Sequence, residues 1–86
     1  MPRFYFDVRQ GDRLDRDPDG LELPSPEDAR IQATLGLSEM AKRAITGNSR
    51  ARVAIEVRDE LNQPVLTAAF VFEVRSHTAS SSSGSA

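Results

Sequence analysis

Three aspartates at alternating positions are the residues whose types and spacing come closest to a known chemistry. Asp15, Asp17 and Asp19 are followed directly by a glycine, which matches the first half of an EF-hand calcium loop. The second half does not match, because the twelfth position, where calcium requires a bidentate glutamate, is Pro26. Aspartate and glycine are also the usual residues of tight turns. The pattern favours an ordinary turn, and a calcium-responsive domain stays open as an alternative hypothesis.

The side chains that most often carry catalysis are scarce in this chain. There is no cysteine, which excludes disulfide bonds and thiolate zinc sites, and His77 is the only histidine. No serine stands in a recognisable motif with an obvious activating base, as an activated nucleophile would need. We therefore expect a protein that is not an enzyme and that holds no cofactor.

Composition and charge narrow the class of protein further. The 86 residues suffice for one domain, and 38% hydrophobic with 28% charged residues is ordinary for a globular chain. A net charge of −2 makes nucleic acid an unexpected partner. No apolar run approaches the roughly 20 residues of a membrane span, and the first residues lack the apolar stretch of a secretory signal. We expect a cytoplasmic protein that does not contact a membrane.

The elements that must position these residues follow from hydrophobic periodicity. Apolar residues at every second position predict strands around residues 3–9, 52–58 and 65–74, and a short returning strand at 13–15. Between them, Ser25 suits a helix N-cap and Pro26 the first helical position, so a helix is predicted from about Pro26 to Thr46. Its apolar stripe consists mostly of small residues. The fold class predicted is α+β, with a single helix packed on one face of a small antiparallel sheet in the order β-β-α-β-β.

The domain is predicted to span residues 1–75. Residues 76–86 consist mostly of serine with glycine and alanine, and are expected to form a disordered tail. Within the domain, Leu21 and Leu23 are expected to place a brief extended segment against the core.

One helix can cover only one side of such a sheet, so the other side is left open. Six residues with side chains predicted on this open face, or at its margin, are candidates for partner binding: Tyr5, Arg9, Ala54, Val65, Ala69 and Val71. A solvated face with a few tolerated apolar groups is one interpretation. A surface with an apolar centre and an arginine-rich rim, which binds a second copy or another protein, is the other.

Several motifs of the chain resemble a known family. The opening Met-Pro-Arg-Phe-Tyr-Phe-Asp, the Gly-Leu-Glu-Leu-Pro at residues 20–24, the Ala-rich helix and the Val-Arg-Asp at residues 57–59 are similar to an uncharacterised family of short, mostly alphaproteobacterial proteins. The family is a domain of unknown function, so the resemblance implies kinship and no catalytic or binding residues. In element order alone, the chain also resembles the HicB antitoxin domain, which implies a module that binds a partner protein. Non-catalytic interaction or regulation through the open face is the function that the sequence favours.

Overall fold

The computed structural model describes residues 1–77. Its elements are five strands, β1 (Arg3–Gln10), β2 (Arg13–Asp15), β3 (Leu21–Glu22), β4 (Arg50–Arg58) and β5 (Pro64–Glu73), and one helix, α1 (Pro26–Ile45). All of them lie within the predicted domain, and the predicted α+β class with one helix and an antiparallel sheet is confirmed. Ser76 and His77 are exposed and outside the regular elements, and residues 78–86 of the predicted tail lie outside the described residues.

The sheet is antiparallel throughout, with the order β2-β1-β4-β5. β3 pairs with β1 on the same side as β2, at the opposite end of β1. The β1–β4 register places Phe6 opposite Val57 and Val8 opposite Ile55. Because side chains alternate between the two faces of a strand, this register gathers the large apolar residues on one face.

The helix packs on this apolar face, over β4 and β5. Ala29 and Ala33 are fully buried between Phe4, Ile55 and Val57, which are also buried. Small side chains on the helix allow this close approach. Gly36 belongs to the same stripe, because a Cβ built there would lie 3.2 Å from Cδ1 of Ile55.

Two expectations about apolar residues were wrong. Leu23 packs against the core as expected, but Leu21 is 44% exposed, because β3 lies beside β1 at the margin of the sheet. Val65 does not line the open face. The β4–β5 register shifts between Val57 and Arg58, which leaves Val65 as the extra residue of a β-bulge, and its side chain packs against the core. Among the described residues, no helix is long and apolar enough to cross a membrane.

The start of the helix is capped as the sequence predicts. Ser25 is the N-cap, with its hydroxyl accepting from the Asp28 amide at 3.4 Å and donating to the Asp28 carboxylate at 2.8 Å. The helix ends at Ile45, and Thr46 is the C-cap.

Ser25→Ala is expected to lower the free energy of unfolding by about 1 kcal/mol, because it removes the side-chain acceptor of the Asp28 amide and the hydroxyl donor to the Asp28 carboxylate. Urea denaturation followed by circular dichroism measures this loss. Ser25→Thr keeps the hydroxyl and serves as the control, with a smaller loss expected. Equal stability of Ser25→Ala and the unsubstituted protein would contradict a stabilising role for this cap.

Candidate functional site

The open face of the sheet carries five of the six candidate residues. The register places Tyr5 and Arg9 on this face from β1, Ala54 from β4, and Ala69 and Val71 from β5. They are not equally accessible. Ala54 is only 8% exposed, whereas Val71 is 68% exposed and Ala69 is also exposed. Apolar exposure on this face is therefore concentrated on β5, at one side of the sheet.

The sequence predicted an apolar centre for the open face, but the structure places ion pairs there. Nε of Arg9 lies 2.6 Å from Oε2 of Glu56, and Nε of Arg58 lies 2.8 Å from Oδ2 of Asp7. The Arg58 guanidinium also stacks over the Tyr5 ring, 4.5 Å from its centroid, in a cation–π contact. These pairs fill the centre with satisfied charges. A partner that docks on apolar surface would therefore have to approach nearer to β5.

Asp7 is the residue on this face that sequence reasoning missed. It is 5% exposed, and its carboxylate accepts from Arg58 and, at 2.9 Å, from the Asp17 amide. Burial by itself would raise the pKa of Asp7, but the hydrogen bonds from Arg58 and the Asp17 amide, together with the charges of Arg58 and Arg16, outweigh it and hold the pKa below its usual value. The signal that could have identified it is a carboxylate placed directly after three consecutive aromatic residues within a strand.

Asp17 fastens the acidic turn to the sheet. Its carboxylate accepts from three backbone amides, those of Phe6 at 3.1 Å, Asp19 at 3.1 Å and Gly20 at 3.2 Å. Burial by itself would raise the pKa of Asp17, but these three hydrogen bonds outweigh it and lower the pKa. Arg58 adds a bond to the Asp17 carbonyl at 3.1 Å.

The three aspartates of the acidic turn do not converge on one point. Asp15 forms an ion pair with Arg13 at 3.3 Å, while the Asp17 carboxylate is directed to backbone amides. Within residues 1–77, no group of three or more histidine, aspartate or glutamate side chains is arranged to hold a metal ion. The geometry gives Asp17 a structural task in the turn, and nothing in it adds support to the calcium hypothesis.

The two sides of the sheet differ in how their backbone groups are paired. On the β1 side, β2 and β3 cover the two ends of the strand, and Asp17 accepts the Phe6 amide in the gap between them. On the other side, β5 is the last strand of the sheet, and within residues 1–77 no strand lies beyond it. Short strands and side-chain acceptors are common means of closing an edge. Among residues 1–77, β5 therefore presents the long open edge of the sheet, whereas the opposite edge is formed by the two short strands β2 and β3.

The backbone groups that point out of the β5 edge can be identified from the register. The Val74 amide donates to the Ser49 carbonyl at 2.7 Å, so the groups of residue 74 point toward β4. Because this direction alternates along a strand, the groups of four residues point away from β4, namely Thr67, Ala69, Val71 and Glu73. A bond on β4 agrees with this alternation. The Arg52 carbonyl accepts from the Gly11 amide and therefore points toward β1, so Val71, which lies opposite Arg52, does not bond to it and directs its own groups outward.

Two depressions on the surface of residues 1–77 are large enough to compare with ligand sites. One, of about 300 Å³, lies on the open face and is lined by the two ion pairs together with Leu14, Arg16 and Asn62. The other, of about 900 Å³, lies where the end of the helix meets the far end of the sheet, between Ala44 and Phe72. Both are wide open to solvent, so neither encloses a ligand as binding pockets usually do.

The fold and the surface define a small α+β domain with a polar open face and one long open sheet edge, that of β5. Residues 3–71 match the family model described as a domain of unknown function, DUF6894, and the chain belongs to this family. No curated protein and no solved structure matches the chain significantly. The family relationship predicted from the sequence is thus confirmed, and the likeness to the HicB antitoxin stays a hypothesis.

Proposed function

We propose that this chain is a non-catalytic interaction module that binds an extended protein segment by strand addition along the open edge of β5. The observation that carries the proposal is the set of outward backbone groups at Thr67, Ala69, Val71 and Glu73. In strand addition, the main-chain hydrogen bonds of such an edge give affinity and the neighbouring side chains give specificity. The proposal retains the cytoplasmic location expected from the sequence.

The residues of β5 support this use of the edge. No charged side chain occurs from Pro64 to Phe72, although charges on the edge are a common protection against strand pairing. Pro64 and the bulge at Val65 protect only the first end of the strand. The stretch from Leu66 to Glu73 is left available for strand pairing, and it includes the exposed side chain of Val71.

The proposal is tested by photo-crosslinking in the native host, with a photoreactive amino acid at Val71. We expect crosslinked adducts to one discrete protein segment, which mass spectrometry identifies. Ala69→Pro should reduce the yield of these adducts on the order of tenfold. Proline at an outward position removes an edge donor but no β4–β5 bond. Ala69→Ser keeps the amide and is the matched control, and a photoreactive residue at Leu14 on β2 measures background.

Adducts that do not exceed the Leu14 background, or that are equally strong with Ala69→Pro, would overturn the proposal. Circular dichroism verifies that the variants are folded. If the proline variant is unfolded, Ala69→Lys replaces it, since a lysine on an edge strand opposes pairing while leaving the β4–β5 ladder intact.

A further inference from the structure

We propose that the segment bound at this edge is β5 of a second copy, so that two sheets join antiparallel across a two-fold axis that passes through Phe70. This inference rests on the proposed function, because it names the partner of the same edge. A two-fold axis normal to the sheet makes the strands antiparallel and keeps both helices on the same side. Each residue then lies opposite the residue equally far on the other side of Phe70.

This register pairs all of the outward backbone groups with one another. Thr67 lies opposite Glu73 of the second copy, and Ala69 lies opposite Val71 of the second copy. The four outward residues of one copy therefore lie opposite the four outward residues of the other. Each outward amide can donate to an outward carbonyl of the second copy. Shifting the axis to Ala69 would place Glu73 opposite Val65, in the bulge, where the regular ladder is interrupted.

Side chains on both faces are compatible with this pairing. On the helix side, Ala68 lies opposite Phe72 of the second copy, and the two Phe70 residues face each other at the axis. On the open side, Ala69 lies opposite Val71, so each of the two alanines meets a larger residue. Phe70 and Phe72 are only half-buried, with stacked rings whose centroids are 6.3 Å apart. A neighbouring strand would cover their free side, and cross-strand pairs of this kind stabilise a sheet.

The charged residues of β5 do not oppose the pairing, and changing the charge at one position tests it. The strand carries no charge before Glu73, and the axis places the two Glu73 side chains at opposite ends of the contact, each facing an uncharged Thr67. Thr67→Glu would therefore place like charges opposite each other twice, and Thr67→Lys would place opposite charges there.

Sedimentation or light scattering at protein concentrations from about 5 to 500 µM, the range suited to a small interface, measures the dimer. We expect dimer formation in this range, weakened roughly tenfold by Thr67→Glu and unchanged or strengthened by Thr67→Lys. Ala69→Pro should weaken it at least as much. Circular dichroism verifies that each variant is folded, because Glu56 lies opposite Thr67 on β4.

The absence of cysteine allows the register itself to be measured. In an equimolar mixture of Ala69→Cys and Val71→Cys, a disulfide should link the two variants, because opposite residues of a hydrogen-bonded pair have Cα atoms about 5.5 Å apart. Leu14→Cys mixed with Val71→Cys is the control and should not crosslink above the level of random collision.

The outcomes separate the two proposals. A monomer at the highest concentration would overturn pairing with a second copy, as would a dimer that responds equally to Thr67→Glu and Thr67→Lys. If adducts at Val71 then map to a different protein and depend on the Ala69 amide, strand addition at β5 stands with another partner. If neither dimer nor adduct is found, both proposals fail.

Discussion

Asp7→Asn is expected to lower the free energy of unfolding by about 2 kcal/mol, because it leaves the Arg58 guanidinium without its anionic partner in a partly buried site. Asp7 is nearly inaccessible, while the Arg58 side chain is 20% exposed, so the loss should lie below that for a fully buried pair. Urea denaturation followed by circular dichroism measures it. Glu22→Gln, which breaks the exposed Arg3–Glu22 pair at 3.2 Å, is the control and should cost under about 1 kcal/mol.

A second substitution shows whether the loss of stability in Asp7→Asn comes from the unpaired Arg58 charge or from lost packing. Arg58→Met in the Asp7→Asn background removes the unpaired cation and should recover part of the lost stability. If the double variant is instead less stable by the sum of two independent losses, the pair is not energetically coupled. A loss under about 0.5 kcal/mol for Asp7→Asn alone would contradict the role assigned to Asp7.

The pH dependence of stability offers an independent measure of the same cluster. The pKa values of Asp7 and Asp17 are both lowered in the folded protein. The unfolded chain therefore binds more protons in acid, and the stabilisation from each carboxylate is present above the unfolded pKa of about 3.9 and is lost as the pH falls through the folded value. Asp7→Asn removes one such group, so its stability should fall less steeply with acid than that of the unsubstituted protein.

The parts of this structure that the sequence predicts are those decided by local patterns. Alternation at residues 3–9 and 52–58 determines which side chains of each strand face the helix, and Ser25 with Pro26 determines where the helix begins. The faces of the side chains in these two strands, the helix start and the α+β class all follow from neighbours a few positions away. None of them requires knowledge of which strands pair.

The features that the sequence does not predict depend on the pairing of distant segments. Asp7 and Arg58 are 51 positions apart, and only the β1–β4 register brings them together. The alternation along β5 continues through Val65, so the bulge that turns this residue to the core is not visible in it. In the same way, the open edge of β5 follows from the strand order, and only then do Ala69 and Val71 become candidates for strand addition.

The acidic turn shows how a local motif that suggests cation binding also serves a structural role in the fold. Aspartates before a glycine suggest a cation site when considered alone. In the fold, the loop fills the gap between β2 and β3, where β1 has an amide without a strand partner, and Asp17 supplies the acceptor. The same carboxylate binds the amides of the turn itself, and the glycine at its end is required by a close approach to β1.

That glycine is the site of the second large effect. Gly20 has a φ of +72°, a conformation that costs an L-amino acid about 1–2 kcal/mol. A Cβ built there would lie 2.9 Å from Cγ of Arg3, 2.9 Å from Cε2 of Tyr5 and 3.0 Å from the Phe4 carbonyl oxygen. The carbonyl belongs to the sheet and the Tyr5 ring is held under Arg58, so neither can move without cost.

Gly20→Ala is therefore expected to lower the free energy of unfolding by about 3 kcal/mol, from the backbone conformation and the steric contacts together. The chain offers a matched control in Gly11, which has a φ of +60° but nothing within 4 Å of its Cβ position. Gly11→Ala should lose only the conformational part, about 1 kcal/mol. Urea denaturation of both variants measures the difference. Equal losses would show that the contacts of Gly20 relax freely, and the turn would then be held to β1 by Asp17 without any requirement for a close approach.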